Sequence, residues 1–150
     1  MLAVSLKERR KMSNSALIAI AALFAAAAVP AGAEQWDVTK DKSLVVHRLA
    51  ATDLRMTVVC DPEGAFSPPQ NYLFVERRGQ RVETGQLTVS EGDDTVNLPI
   101  IGAAAVPTGN VENWNTAMDM LFGGRGVNVA VGDVAAQLQA ESLANVCTAR

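Results

Sequence analysis

Hydrophobic positions along this chain change period several times, and each change marks an element. Leu54, Met56, Val58 and Cys60 alternate with Arg55, Thr57 and Val59, the period-two signature of a strand with one buried face, which turns Cys60 inward. Trp36-Asp37-Val38 and residues 44–49 read as two shorter strands around the polar residues 39–43. Asp61-Pro62-Glu63-Gly64 ends the Cys60 strand, and Ser67-Pro68-Pro69 keeps the chain in a loop, because proline lacks a ladder donor and restricts the residue before it. Residues 72–75 are apolar on both faces and suit a central strand, with Arg77-Arg78-Gly79-Gln80 as its turn. A hairpin follows: one strand runs from residue 82 or 85 to 90, the other over 95–101, around Glu91-Gly92-Asp93-Asp94.

After residue 110 the period lengthens. Trp114, Ala117, Met118 and Leu121 recur at i, i+3, i+4 and i+7, which predicts an amphipathic helix over 111–122, with Asn110 as cap and Gly123-Gly124 as stop. Val127, Val129 and Val131 return to period two, Gly132-Asp133 supplies a tight turn, and Val134, Ala136 and Leu138 complete a hairpin. Ala140, Leu143, Ala144 and Cys147 then share helical spacing, predicting a short last helix with the second cysteine on its inner face. Residues 102–109 (GAAAVPTG) read as a flexible loop. The expected architecture is a single α+β domain: a mainly antiparallel β-sandwich or curved sheet of seven or eight strands, two short C-terminal helices and one disulfide.

The N-terminal pattern is different. A basic patch (Lys7, Arg9, Arg10, Lys11 around Glu8), the uninterrupted apolar run of residues 16–29, and Pro30-Ala31-Gly32-Ala33 form the three zones of a secretory signal peptide over residues 1–33. Cleavage is expected between Ala33 and Glu34, leaving residues 34–150 as one exported domain. The apolar run of 14 residues falls short of the roughly 20 that span a bilayer, so no stable membrane insertion is expected after cleavage. Met12 is an alternative start, but it would strip the signal of its basic residues.

Removal of that segment changes the charge balance. The 150-residue chain has a formal net charge of −3, but residues 34–150 hold 9 basic and 15 acidic groups, near −6. Nucleic acid is therefore not an expected partner, because phosphate neutralisation requires clustered cations in excess. An even pair of cysteines, Cys60 and Cys147, in an exported chain argues for a disulfide. No Cys-x-x-Cys supports a redox pair.

Candidate chemistry is sparse. His47, the only histidine, lies within the apolar LVVHRL and reads as packed or surface-exposed; no motif supplies it with a nucleophile and an orienting acid. With one histidine and the cysteines oxidised, no metal site and no cofactor are expected. Glu91, Asp93 and Asp94 lack the further ligands of a calcium loop and read as a solvated turn. The Gly123-Gly124-Arg125-Gly126 run follows a helix, where a phosphate loop would follow a strand. Arg77, Arg78 and Arg81 form the one basic cluster and are candidates for docking an anionic partner, while Phe66, Pro68 and Pro69 are candidates for a protruding binding loop. Trp36 and Trp114 read as core anchors or interface residues, Trp114 on its helix stripe as core.

The C-terminal order of helix WNTAMDMLF, turn GGRG, strands VNVAV and VAAQLQ and a final helix, together with the early Trp36 and the strand LRMTVVC, resembles small periplasmic β-rich proteins of the invasion-associated locus B type. The chain departs from that group in lacking a second cysteine in its N-terminal half. The resemblance implies an exported β-sandwich with no known catalytic residues. The leading expectation is a non-enzymatic binding or accessory protein of the cell envelope, periplasmic or secreted, with a protein or envelope component as partner. The alternatives are a small envelope hydrolase using paired carboxylates, or a proteinaceous inhibitor of a wall-degrading enzyme.

Overall fold

The computed structural model describes residues 35–150; the signal-peptide assignment and its cleavage point lie outside the described residues. Nine strands and one helix follow in order. Strands β1 (Asp37–Asp41), β2 (Leu44–Ala50), β3 (Leu54–Cys60), β4 (Tyr72–Arg77) and β5 (Gln80–Arg81) pair with their chain neighbours as one antiparallel sheet. The second sheet is built from β6 (Thr84–Glu91), β7 (Asp94–Ile101), β8 (Val127–Val131) and β9 (Val134–Leu138), in the order β7-β6-β8-β9. Helix α1 (Val111–Phe122) lies between β7 and β8 in sequence and packs against β6 and β7.

Period-two patterning explains the core. Leu54, Met56, Val58 and Cys60 of β3, Leu73 and Val75 of β4, Leu87 and Val89 of β6, Leu98 and Ile100 of β7, and Val127, Val129 and Val131 of β8 are all buried. They belong to one hydrophobic cluster that also takes in Trp114, Ala117, Met118 and Leu121 of α1. Each buried Val, Leu, Ile or Met among them contributes about 1.5–3 kcal/mol by leaving water. The predicted helix and both hairpins stand where their periods place them. Asn110 occupies the N-cap position of α1 but makes no side-chain capping bond.

The expectation of two C-terminal helices is corrected by the tail. Among the described residues there is one helix, and residues 139–150 are not helical. They form an extended strap along α1, because side chains of that helix take the hydrogen-bonding role an internal helix would have filled. The Trp114 Nε1–H donates to the Cys147 carbonyl (2.8 Å), and Asn115 brackets Ala149, its amide accepting from the Ala149 N–H (2.8 Å) and donating to the Ala149 carbonyl (3.1 Å). Asn145 donates to Asp119 at 2.6 Å, and the Leu143 N–H reaches the Phe122 carbonyl at 2.9 Å. Cys147 and Ala149 are buried while Ala144 of the supposed helical stripe is exposed.

Gly124 lets the strap come this close. It has φ +73°, and a Cβ on it would sit 2.6 Å from the Ser142 Cβ and 2.8 Å from the Ser142 backbone nitrogen. Gly124→Ala is expected to destabilise by about 1–3 kcal/mol through left-handed strain alone, and more through displacement of the strap. Thermal unfolding measures it.

Residues 102–109 are tied down at several points. The Leu73 and Ala105 backbones exchange a pair of hydrogen bonds at 2.9 Å, Ala103 donates to the Glu83 carbonyl at 2.8 Å, and Ala105 is fully buried. The segment thus joins the end of β7 to the edge of β4 beside β5, linking the two sheets.

Candidate functional site

Three groups of side chains carry the chemistry of the domain. The first is built on Asp61, at the end of β3. It is buried, and its carboxylate accepts the N–H groups of Ala65 (2.9 Å), Phe66 (3.0 Å) and Gln70 (3.3 Å). Its own N–H donates to the Asn71 side-chain oxygen at 3.0 Å, and Asn71 is buried as well. Burial acts to raise the carboxyl pKa, but the amides of Ala65, Phe66, Gln70 and Gly64 outweigh it and hold the group below its usual range, fully ionised at neutral pH. One charge therefore organises a loop whose residues 62–69 are all exposed. Phe66, Pro68 and Pro69 sit on that loop, with Phe66 36% exposed.

The second group is the basic cluster. Arg77 and Arg78, at the turn between β4 and β5, converge on one carboxylate of the β8–β9 turn. Arg77 Nη1 donates to Asp133 Oδ1 at 2.7 Å and Arg78 Nη1 to Oδ2 at 3.1 Å. Arg77 lies against Gly132, whose φ is +59° and where a Cβ would come within 2.5 Å of its Nη1. The Arg78 hydrogen bond, the backbone amide of Asp133 and the charges of both arginines lower the Asp133 pKa. Arg78 also faces Asp53 at 4.0 Å. Arg81 lies over the Phe74 ring, 4.4 Å from its centroid, and Phe74 stacks on Tyr72. All three arginines thus have partners inside the chain, and two of them fasten one sheet to the other.

The third group is buried. His47 of β2 is 3% exposed and faces inward with Leu49; its Nδ1 lies 3.6 Å from Cys60 Sγ. Cys60 is bonded to Cys147, 87 residues further along the chain, with Cα atoms 4.9 Å apart, within the span a disulfide requires. Trp36 and Phe122 complete the surroundings, their ring centroids 6.2 and 4.8 Å from that of His47. Burial lowers the His47 pKa from its usual value against a smaller opposing contribution from the Val58 backbone, so the folded state holds a neutral ring.

A pH dependence follows from His47. An unfolded histidine titrates near pH 6.5, whereas the folded one takes its proton only at lower pH, so the unfolded state binds more protons between those two points. The contribution of His47 to stability is therefore complete above about pH 6.5 and is lost as the pH falls below it. Since no other histidine is present, His47→Gln is expected to flatten this part of the pH profile in chemical denaturation. An unchanged slope would contradict the buried neutral ring.

Two shallow clefts lie beside these groups. One of about 380 Å³ is lined by Arg77, Thr84, Gln86, Thr88, Val131 and Gly132 and has no carboxylate on its wall. The other, of about 490 Å³, includes Asp53 and Glu76, but Asp53 lies beside Arg78 and Glu76 lies 3.5 Å from Arg55. In the acidic turn, Glu91 pairs with Arg125 of the glycine-rich turn at 2.8 Å, and among the described residues the acids of 91–94 do not gather three ligand atoms. Sequence reasoning missed the clamping role of Asp61. Its signal was an aspartate heading a segment rich in proline and glycine, where its oxygens can take the amides that no strand will pair.

Comparison with family models, curated proteins and solved structures finds no match to this chain.

Proposed function

We propose that the mature chain is an exported, non-enzymatic binding protein of the cell envelope that engages a protein partner through the loop of residues 61–71. The observation that carries this reading is the Asp61 clamp, which keeps eight consecutive exposed residues in one arrangement through three amide bonds to a buried carboxylate. Ordering a loop costs binding free energy; a loop ordered beforehand avoids that cost. Phe66 with Pro68 and Pro69 supplies rigid apolar surface of the kind that anchors an interface. An inhibitor of a wall-degrading enzyme is the form of this reading in which the loop enters the partner's cleft. The signal-like N-terminus and the bridge support export, to the periplasm or beyond it.

A hydrolase built on paired carboxylates has no comparable support. Asp61 and Asp133 are both shifted in the direction that keeps them ionised, the opposite of what a proton donor needs.

The test is affinity purification from an envelope extract with wild-type and loop-variant proteins. The expected result is one stoichiometric partner, bound about 30-fold more weakly or worse by Phe66→Ala combined with Pro69→Ala, in line with the truncation of a central anchor. Asp61→Asn should also weaken capture while opening residues 62–69 to limited proteolysis, although it removes no contact residue. Capture indifferent to these changes, or turnover of wall fragments by the isolated protein, contradicts the reading.

A further inference from the structure

His47, Cys60 and Cys147 are buried together with their ligand atoms all within 4.8 Å of one another. We propose that, once the bridge is reduced, these three residues form a buried three-coordinate site for copper(I). This inference does not depend on the binding loop. Reduction breaks the S–S bond and gives two protein thiols: two reductant thiols supply the two electrons and two protons and leave as their own disulfide, or a phosphine supplies the electrons and leaves as its oxide, with water providing the oxygen and the two protons. Binding of the ion displaces both protons, leaving two thiolates and one neutral imidazole around the metal.

Three observations carry the proposal. First, Cys147 does not depend on the bridge alone for its position. The Trp114 indole N–H holds its carbonyl, its own N–H donates to the Asn145 side chain at 3.0 Å, and Asn115 grips Ala149 two residues on. Breaking the S–S bond therefore leaves the strap docked and the two sulfurs facing each other. Second, His47 already presents Nδ1 toward Cys60 Sγ at 3.6 Å, and a neutral imidazole is the form that ligates. Third, the surroundings select the metal. Two thiolates and an imidazole are soft and borderline donors, suited to copper(I). Zinc prefers four ligands, yet Trp36 and Phe122 lie against the histidine and no fourth histidine, cysteine or carboxylate joins the group among the described residues.

The experiment is an anaerobic titration of the mature protein, reduced with a phosphine, with copper(I) in competition with a chromophoric copper(I) chelator. Near-ultraviolet circular dichroism is recorded alongside. The expected result is one copper(I) per reduced chain, a thiolate-to-copper charge-transfer band, a retained native near-ultraviolet signal and no uptake by the oxidised chain. His47→Leu should lower the affinity about tenfold or more, on the scale seen when a metal's immediate support is removed. Cys147→Ala, which leaves one thiol, should abolish stoichiometric binding. The proposal is overturned if the reduced protein leaves copper(I) with the competitor. It is equally overturned if His47→Leu binds as tightly as the wild type, or if reduction erases the native near-ultraviolet signal, since the site exists only while the strap stays in place.

Discussion

Replacing Cys60 and Cys147 together with alanine is expected to lower the free energy of unfolding by about 4 kcal/mol and the Tm by roughly 10–20 °C. The bridge joins positions 87 residues apart, and in the chain-entropy picture a closed loop of this size removes about 4–5 kcal/mol of freedom from the unfolded chain. That is a large share of the roughly 5–15 kcal/mol that holds a domain folded. Alanine is the right replacement because both sites are fully buried, and a serine hydroxyl there would add its own desolvation cost. The native fold should persist at room temperature, because the strap keeps its hydrogen bonds to α1. A loss below about 1 kcal/mol would mean that the bridge hardly constrains the unfolded chain.

Trp114→Ala is expected to cost about 3–5 kcal/mol, the range for deleting a large aromatic side chain from a core. Trp114 is fully buried and its indole N–H satisfies the Cys147 carbonyl. Two roles therefore sit on one side chain, and Trp114→Phe separates them: it keeps most of the ring but leaves a buried carbonyl unpaired, at about 1–3 kcal/mol. Because Trp114 and the bridge hold the same residue, their effects should not add. A double-mutant cycle between Trp114→Phe and the paired alanine variant is expected to show a coupling of about 0.5 kcal/mol or more. Strict additivity would separate the indole from the anchoring of the strap.

The two residues also mark where sequence stops being informative. Local periodicity was enough to place β3, the hairpins β6–β7 and β8–β9 and helix α1, because each buries one face and carries its own two- or 3.6-residue pattern. The tail has the same kind of pattern, since Ala140, Leu143, Ala144 and Cys147 fit a helical stripe, but there the spacing misleads. The decisive partners, Trp114, Asn115 and Asp119, lie some thirty residues upstream, and no local rule anticipates side chains of one element satisfying the backbone of another. The same distance hid the pairing of Arg77 and Arg78 with Asp133, which joins the two sheets through side chains that stay partly exposed. The short β5 escaped notice because two residues hold no period. Residues 102–109 looked loose for a similar reason: small side chains announce nothing about backbone bonds to β4. Phe66, Pro68 and Pro69 were legible as a loop, but the clamp that fixes it depends on Asp61 being buried, which composition cannot show.

We propose that the chain is exported, and the structure closes it by a single sulfur bridge from β3 to its C-terminal strap. Intact mass of the protein recovered from its host, followed by alkylation in denaturant without reductant, tests this most directly. The expected result is a chain beginning at Glu34, two hydrogens lighter than its reduced form, unmodified by the alkylating agent and yielding one linked peptide that contains Cys60 and Cys147. A mature chain that retains residues 16–29, or one in which both cysteines are alkylated without prior reduction, would contradict it.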